Sequence, residues 1–362
     1  MEFALPNQGS SRPDRTFEFA IEHGDITMFE ADVLALKYAQ SFFGADLTVA
    51  TILARHGYKW EGFDLEIGDS RLLDSKGSLG VQQVLFVGVP SLMKFLYKEI
   101  REFVCQVLTI LSQAAPATRH VALTLHGIGT GLDEAAVLDA EFAGLLRAKL
   151  PEGLEKVSIV DHNLYLVQHL RRIFDQIYGK TDFISPIKGR WAYRVAVPLP
   201  VRRGHAGLLG PPSSVMQAVE RVVESEEKPH AFVALPFRHE KDSRYNMEDV
   251  FEFGIRKPVR AAGFLCEKSD HEAFIGDILD HIKKRIETAA VVIAELTGSN
   301  PNVYLELGYA WGKGRPTILL IQNPQELRFD VQGHRCLSYD LIKDLQKKLK
   351  KELKELKGKG LI

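Results

Sequence analysis

The sequence predicts an α/β protein of two domains, each a mostly parallel sheet flanked by helices. Three observations carry this. At 362 residues the chain exceeds one ordinary domain. Short apolar runs at 33–36, 84–87 and 291–295, the last closed by Glu295, read as strands buried on both faces, and they alternate with segments of helical spacing. A stretch from 180 to 229, with prolines at 186, 198, 200, 211, 212 and 229, interrupts that rhythm. The expected divisions are therefore a loose N-terminus (1–14), a first α/β domain (15–179), a connector (180–229), a second α/β domain (230–340) and a C-terminal amphipathic helix (341–362).

The apolar content of 45% with 26% charged residues supports a core in each half. The formal charge of -1 gives no global attraction to nucleic acid or membrane, so an anionic ligand needs a local site. The three cysteines, Cys105, Cys266 and Cys336, lie far apart without zinc-ligand spacing, so no metal is expected and the thiols are read as reduced. With no apolar run of membrane-spanning length and a polar N-terminus, the expectation is a cytoplasmic protein with no membrane and no direct DNA partner.

In chain order, 17–21 reads as a strand and His23-Gly24-Asp25-Ile26-Thr27 as a turn. The apolar strand 33–36 and a helix over 41–56 follow. Phe63, Leu65 and Ile67 alternate as a further strand, and 84–87 is another. The spacing of Phe95, Ile100, Phe103, Val107, Ile110 and Leu111 predicts a helix over 94–114. Strand 120–125, helix 134–150, strand 157–160 and helix 164–178 complete the half. In the connector, 191–197 can pair as a strand and 213–225 reads as a helix, with Arg202-Arg203 a solvated pair or a phosphate contact.

His126-Gly127-Ile128-Gly129-Thr130-Gly131-Leu132-Asp133 follows a strand and precedes a helix. Glycines there let backbone amides approach a phosphate at a helix N-terminus. The other reading is a turn closed by Asp133 as N-cap. The loop lacks the Gly-Lys-Ser/Thr of a nucleotide-binding P-loop. The turn at 24–27 resembles the start of macro domains, and the half as a whole resembles them and, more loosely, the CARF sensors of cyclic oligoadenylates. The resemblance implies a Rossmann-like or macro-like nucleotide sensor holding an activator at Gly24, Asp25, Ile26, Lys37, Gly127, Gly129, Thr130, Gly131 and Leu132. Lys37-Tyr38-Ala39-Gln40 stands where enzymatic macro domains carry Asn-Ala-Ala-Asn, so binding is expected in place of ADP-ribose hydrolysis.

The second half runs strand (231–235), helix (247–261, interrupted near Gly254 and Pro258), strand (264–266), loop (267–276), helix (277–288) and strand (291–295). A Gly/Ser/Asn/Pro loop, a helix from about Val303 and a strand after Lys313-Gly314-Arg315-Pro316 complete a βαβ unit. Its ligand crevice should lie beyond the strand ends at 297–302, with Glu306 in the first helical turn between Leu305 and Leu307. A carboxylate so placed can stabilise or capture a cationic sugar centre.

The Glu306-Leu307-Gly308-Tyr309-Ala310 segment, with Phe-Val-Ala-Leu-Pro-Phe at 232–237 and Phe329-Asp330 with Tyr339, resembles the TIR-like and nucleoside 2-deoxyribosyltransferase-like superfamily over about residues 230 to 340. Ser299-Asn300-Pro301-Asn302 replaces the Asp-rich loop of true deoxyribosyltransferases and favours the TIR-like branch. That resemblance implies a flavodoxin-like fold, an NAD glycohydrolase with Glu306 as the catalytic carboxylate, and NAD as substrate with no further cofactor. Phe237 and Tyr304 would stack or pack on the nicotinamide riboside. Asp270, Asn300 and Asn302 would contact it, and the 267–276 loop, with His271, would meet a neighbouring subunit.

The layout as a whole resembles prokaryotic antiviral effectors of the CRISPR-associated CARF-TIR type. It implies a nucleotide second messenger, such as a cyclic oligoadenylate, at the first domain and a homo-oligomer or filament as the active form. The alternatives are a deoxyribosyltransferase-like enzyme using Glu306 as nucleophile, and a non-enzymatic nucleotide-binding scaffold in which Glu306 is a favourable helix charge. The last segment, with leucines at 341, 345, 349, 353 and 356 opposite a Lys-rich face, reads as an amphipathic helix packed on the domain or on a partner helix.

Overall fold

A computed structural model describes residues 15–197, 214–236, 243–268 and 277–362. The residues 1–14, Arg202-Arg203, Phe237, Asp270 and His271 lie outside that set. The chain divides into two compact units. One comprises Met1–Val89, Arg101–Leu125 and Glu141–Val222; the other comprises Pro90–Ile100, His126–Ala140 and Val223–Ile362. The division differs from the sequential one expected, because two short stretches of the N-terminal half belong to the second unit.

The first sheet has eight strands: β1 (Arg15–His23), β2 (Ala31–Tyr38), β3 (Ser70–Asp74), β4 (Val81–Gly88), β5 (His120–Thr124), β6 (Lys156–Asp161), β7 (Ile184–Pro186) and β8 (Ala192–Val197), in the order β3-β4-β2-β5-β6-β1-β8-β7. The five central strands run parallel, while β3, β8 and β7 are antiparallel to their neighbours. The helices of this half are α1 (Ala45–Arg55), α2 (Tyr97–Ala114), α3 (Glu134–Arg147) and α4 (Leu164–Tyr178). One local expectation is corrected. Residues 63–67 form no strand; Phe63 and Leu65 are buried against Tyr38 and Phe86 as aromatic and aliphatic plugs, and the strand follows at 70–74. A plug that buries alternate residues gives the same period-two signal as a strand. In the stretch read as a connector, β8 and α5 (Ser214–Glu226) form where the sequence predicts a strand at 191–197 and a helix at 213–225, and β7 is added before them.

The second sheet is fully parallel: β9 (His230–Ala234), β10 (Leu265–Lys268), β11 (Val291–Glu295), β12 (Thr317–Ile321) and β13 (Cys336–Ser338), in the order β10-β9-β11-β12-β13. This is the flavodoxin-like 2-1-3-4-5 order. Each face is buried by a different set of residues. Ala231, Val233, Val291 and Ile293 join one core, while Phe232, Ala234, Val292 and Ala294 join the other. That is why these strands read as unbroken apolar runs. The helices are α6 (Met247–Asp249), α7 (Lys257–Ala261), α8 (Asp277–Thr288), α9 (Pro301–Gly312) and α10 (Ile342–Gly358). The predicted interruption near Gly254 is a π-helical stretch, Val250–Arg256, that keeps 247–261 continuous. A Cβ on Gly254 would lie 2.7 Å from Leu345 Cδ2, so the glycine is where α10 packs close.

Candidate active site

The chain leaves β9 toward β10 on one side and resumes with β11 on the other, so the topological switch lies between β9 and β11. In an open parallel sheet the ligand crevice forms outside the carboxyl ends of those two strands, here beyond Ala234 and Glu295. Helix α9 starts at that end and packs across β9, β11 and β12.

Four residues build the turn into α9. Gly298 and Ser299 both take left-handed conformations, φ 74° and 53°, which places strain on the serine where the chain reverses. Asn300 then caps the helix, its side-chain oxygen accepting from the Asn302 amide at 3.0 Å, and Pro301 fills the first helical position, which needs no donor. The helix therefore begins two residues earlier than predicted, and Glu306 stands in its second turn, not its first. Leu305 is 69% exposed and points away, whereas Glu306 is only 5% exposed and shares its burial with Val303, Leu307 and Ala310. A carboxylate there is shielded from water, which makes it expensive to bury and strong in its field. Tyr304 is half-buried against the same core, with the Arg328 guanidinium 5.4 Å from its ring centre. Arg328 also reaches the Ser299 carbonyl at 3.4 Å. Asn302 is exposed, and the cap role of Asn300 already uses its side-chain oxygen.

Sequence reasoning missed a buried polar network behind this turn. Glu295 is fully buried, and its carboxylate accepts from the Thr297 hydroxyl (2.5 Å), the Thr297 amide (3.2 Å) and the Tyr339 hydroxyl (3.0 Å). The Gln322 amide nitrogen donates to the Tyr339 and Ser243 hydroxyls, and its side-chain oxygen accepts from the Arg244 amide. Strand ends, the 297–300 turn and the start of the 243–246 segment are thereby tied together. Burial and the Glu295 charge push the Tyr339 phenol well above its ordinary range and the Cys336 thiol up to about 12. The legible signal was a polar residue placed directly after an apolar strand, as in Glu295 and Gln322.

The glycine loop at 127–131 belongs to the second unit and is engaged elsewhere. The amides of Thr130 and Leu132 donate to the Gly127 carbonyl and that of Gly131 to the Ile128 carbonyl. The Gly131 carbonyl accepts from the Lys268 amide at 3.0 Å, and a Cβ on Gly131 would lie 1.9 Å from the Lys268 carbonyl oxygen. The loop thus covers the outer edge of β10, an edge that otherwise exposes unpaired backbone. Asp133 caps α3 through the amides of Ala135 and Ala136, accepts from the Cys266 amide and forms a two-pronged pair with Arg260. Burial works to raise the Asp133 carboxyl, but Arg260 and Arg256 outweigh it and hold it at about 2. The Tyr97 hydroxyl donates to Glu267 and accepts from the Asp133 amide, and Arg285 holds Glu267 through two 2.7 Å bonds. Two features weigh against the phosphate-cradle reading. The three amides named above, of residues 130–132, are donated within the loop, and positive φ occurs at Gly127 and Gly131 but not at Gly129.

The remaining predicted activator residues lie in the first unit. Gly24 and Asp25 follow β1, and Lys37 is the penultimate residue of β2, with β5 and β6 between the two strands in the sheet. Asp25 accepts from the Thr27 amide and hydroxyl in a local turn, and these bonds lower its pKa. Ile26 packs on a core cluster, and Lys37 pairs with buried Asp46, whose carboxyl burial raises. Among the described residues no His/Cys/Asp/Glu group of three or more could hold a metal ion, and no helix is long and apolar enough to cross a membrane.

No family model matches the sequence, and no curated protein matches it. Among solved structures, the Oceanobacillus iheyensis macrodomain with MES bound is similar at 11% identity and a TM-score of 0.34, covering 46% of this chain and 100% of that one. The same macrodomain with ADP is similar at 11% identity and a TM-score of 0.33, again over 46% and 100%. A mutant of it with ADPR gives 10% and 0.34 over the same shares.

Proposed function

We propose that the second unit hydrolyses the N-glycosidic bond of NAD, releasing nicotinamide, within a nucleotide-activated effector of prokaryotic antiviral defence. The observation that carries this reading is the buried carboxylate of Glu306 in the second turn of α9, the helix that follows β11 of a 2-1-3-4-5 sheet. Departure of nicotinamide leaves positive charge on the ribose, and a preorganised carboxylate in a water-poor site lowers the energy of that charge. The ribose would sit over the Leu296-to-Asn300 turn, with Tyr304 against a ring and Arg328 supplying a cation for the pyrophosphate at the mouth. The Glu295–Tyr339–Gln322 network would hold that turn in place from behind.

The first unit would bind the activating nucleotide at the carboxyl ends of its parallel strands, near Gly24 and Asp25, with activity rising on assembly. Binding drives activity only if it is tighter in the assembled state, so the nucleotide should also enlarge the particle. The test is nicotinamide release by the full chain and by Glu306→Gln, with and without cyclic oligoadenylates, and with deoxynucleosides as the alternative substrate. The reading predicts turnover reduced by about 10²–10³ or more in the variant at unchanged melting temperature. Equal NAD turnover by Glu306→Gln would refute the assignment, and base exchange on deoxynucleosides without NAD cleavage would move it to the transferase branch.

A further inference from the structure

We propose that the outer face of α10 is a sequence-independent binding surface for the phosphate backbone of nucleic acid, reversing the expectation drawn from net charge. At 100° per residue, Lys343, Lys347, Lys350, Lys351, Lys354 and Lys357 fall within about 120° of the helix circumference, a sector that holds no carboxylate. The acids interleaved with them in the sequence lie on the flanks, and each is met there by a basic neighbour. Asp344 pairs with Lys348 (2.8 Å), Glu355 with Lys351 (3.7 Å) and Glu352 with Arg335 (2.7 Å). Lys357 donates to the Ala262 carbonyl. Lys343, Lys347, Lys350 and Lys354, at spacings of four, three and four residues, are all exposed and make no ion pair among the described residues. They form a straight row about 16 Å long.

The charge pattern selects the partner. The apolar face of α10 is already spent, with Leu345, Leu349 and Leu353 fully buried in the core of the second unit, so the helix has no free apolar face to sink into a lipid surface. The row contains no aromatic or aliphatic anchor around which a protein interface would centre. What is left is a linear array of mobile ammonium groups, which suits a linear polyanion. Duplex DNA presents a charge every 1.7 Å or so, so a 16 Å row faces on the order of ten phosphates. With no base-reading group in the row, affinity should come from counterion release and be indifferent to sequence.

The proposal does not depend on NAD hydrolysis. Its test is fluorescence anisotropy of a labelled mixed-sequence DNA duplex titrated with the full chain at several salt concentrations, beside phosphatidylserine vesicles. The expected result is binding whose log affinity falls against log salt with a slope of about −4, each lysine–phosphate contact contributing about −0.9. Replacing Lys343, Lys347, Lys350 and Lys354 by Gln should abolish the slope and weaken binding at least tenfold at low salt, with the melting temperature unchanged because all four are exposed. No duplex binding at low salt, unchanged binding by the fourfold variant, or binding to vesicles but not to duplex would each overturn it.

Discussion

Two strand–glycine–helix junctions of the second unit look alike in sequence and are built in opposite ways. The one before α3 carries Gly127, Gly129 and Gly131 and is capped by Asp133; the one before α9 carries Gly298 and is capped by Asn300. At the first, backbone closes on backbone: Gly131 lies against Lys268, and a dense set of charges around Asp133, Arg260, Glu267 and Arg285 fixes the edge of β10. At the second, the turn is braced from behind by neutral hydroxyls and one buried carboxylate, while Tyr304 and Arg328 stand at its front. Glycine content alone does not mark a phosphate site; what fills the space facing the loop does.

The largest effect should come from Gly131→Val. Its Cβ meets a backbone oxygen at 1.9 Å and its φ of 87° disfavours any L side chain, so a loss of about 3–5 kcal/mol is expected in urea denaturation. Unchanged stability would break the clamp half of the comparison.

Asp133→Asn comes next and carries a pH signature. The folded carboxyl titrates at about 2 against an ordinary value of 3.8, so its stabilisation is complete above the ordinary value and is lost as pH falls through 2. The advantage of wild type over the variant, about 2 kcal/mol or more at pH 7, should shrink by about 2 kcal/mol across that window. Parallel curves for the two proteins between pH 4 and 2 would contradict the pairing.

Asn300→Ala removes a side-chain cap and should cost about 1 kcal/mol, read from the melting temperature. Gly129→Ala should be the smallest effect, within about 0.5 kcal/mol, because its Cβ meets nothing within 4 Å and its φ is not positive. A large loss there would mean that the loop faces a ligand or partner after all.

Much of this architecture was legible because burial on both sheet faces writes itself as apolar runs: 33–36, 84–87, 231–235 and 291–295 all hold strands. Glu306 was legible for the same reason, as a carboxylate inside an otherwise apolar helix. The helix start was placed two residues late because Pro301 reads as a breaker, although it is favoured at the first helical position. The charge clamp was not legible. Tyr97 and Glu267, or Asp133 and Arg260, are separated by more than 120 residues and owe their pairing to long-range folding that no local pattern records. The lysine-rich face of α10 was legible opposite its leucines, whereas the pairing of Asp344, Glu352 and Glu355 with basic neighbours was not.

The central claim is that the junction before α9 receives the substrate and the junction before α3 does not. Hydrogen exchange on the full-length Glu306→Gln protein, with and without saturating NAD, tests it most directly. The account predicts slowed amide exchange across residues 296–306 with residues 126–133 unchanged; slowed exchange at 126–133 with 296–306 unaltered would contradict it.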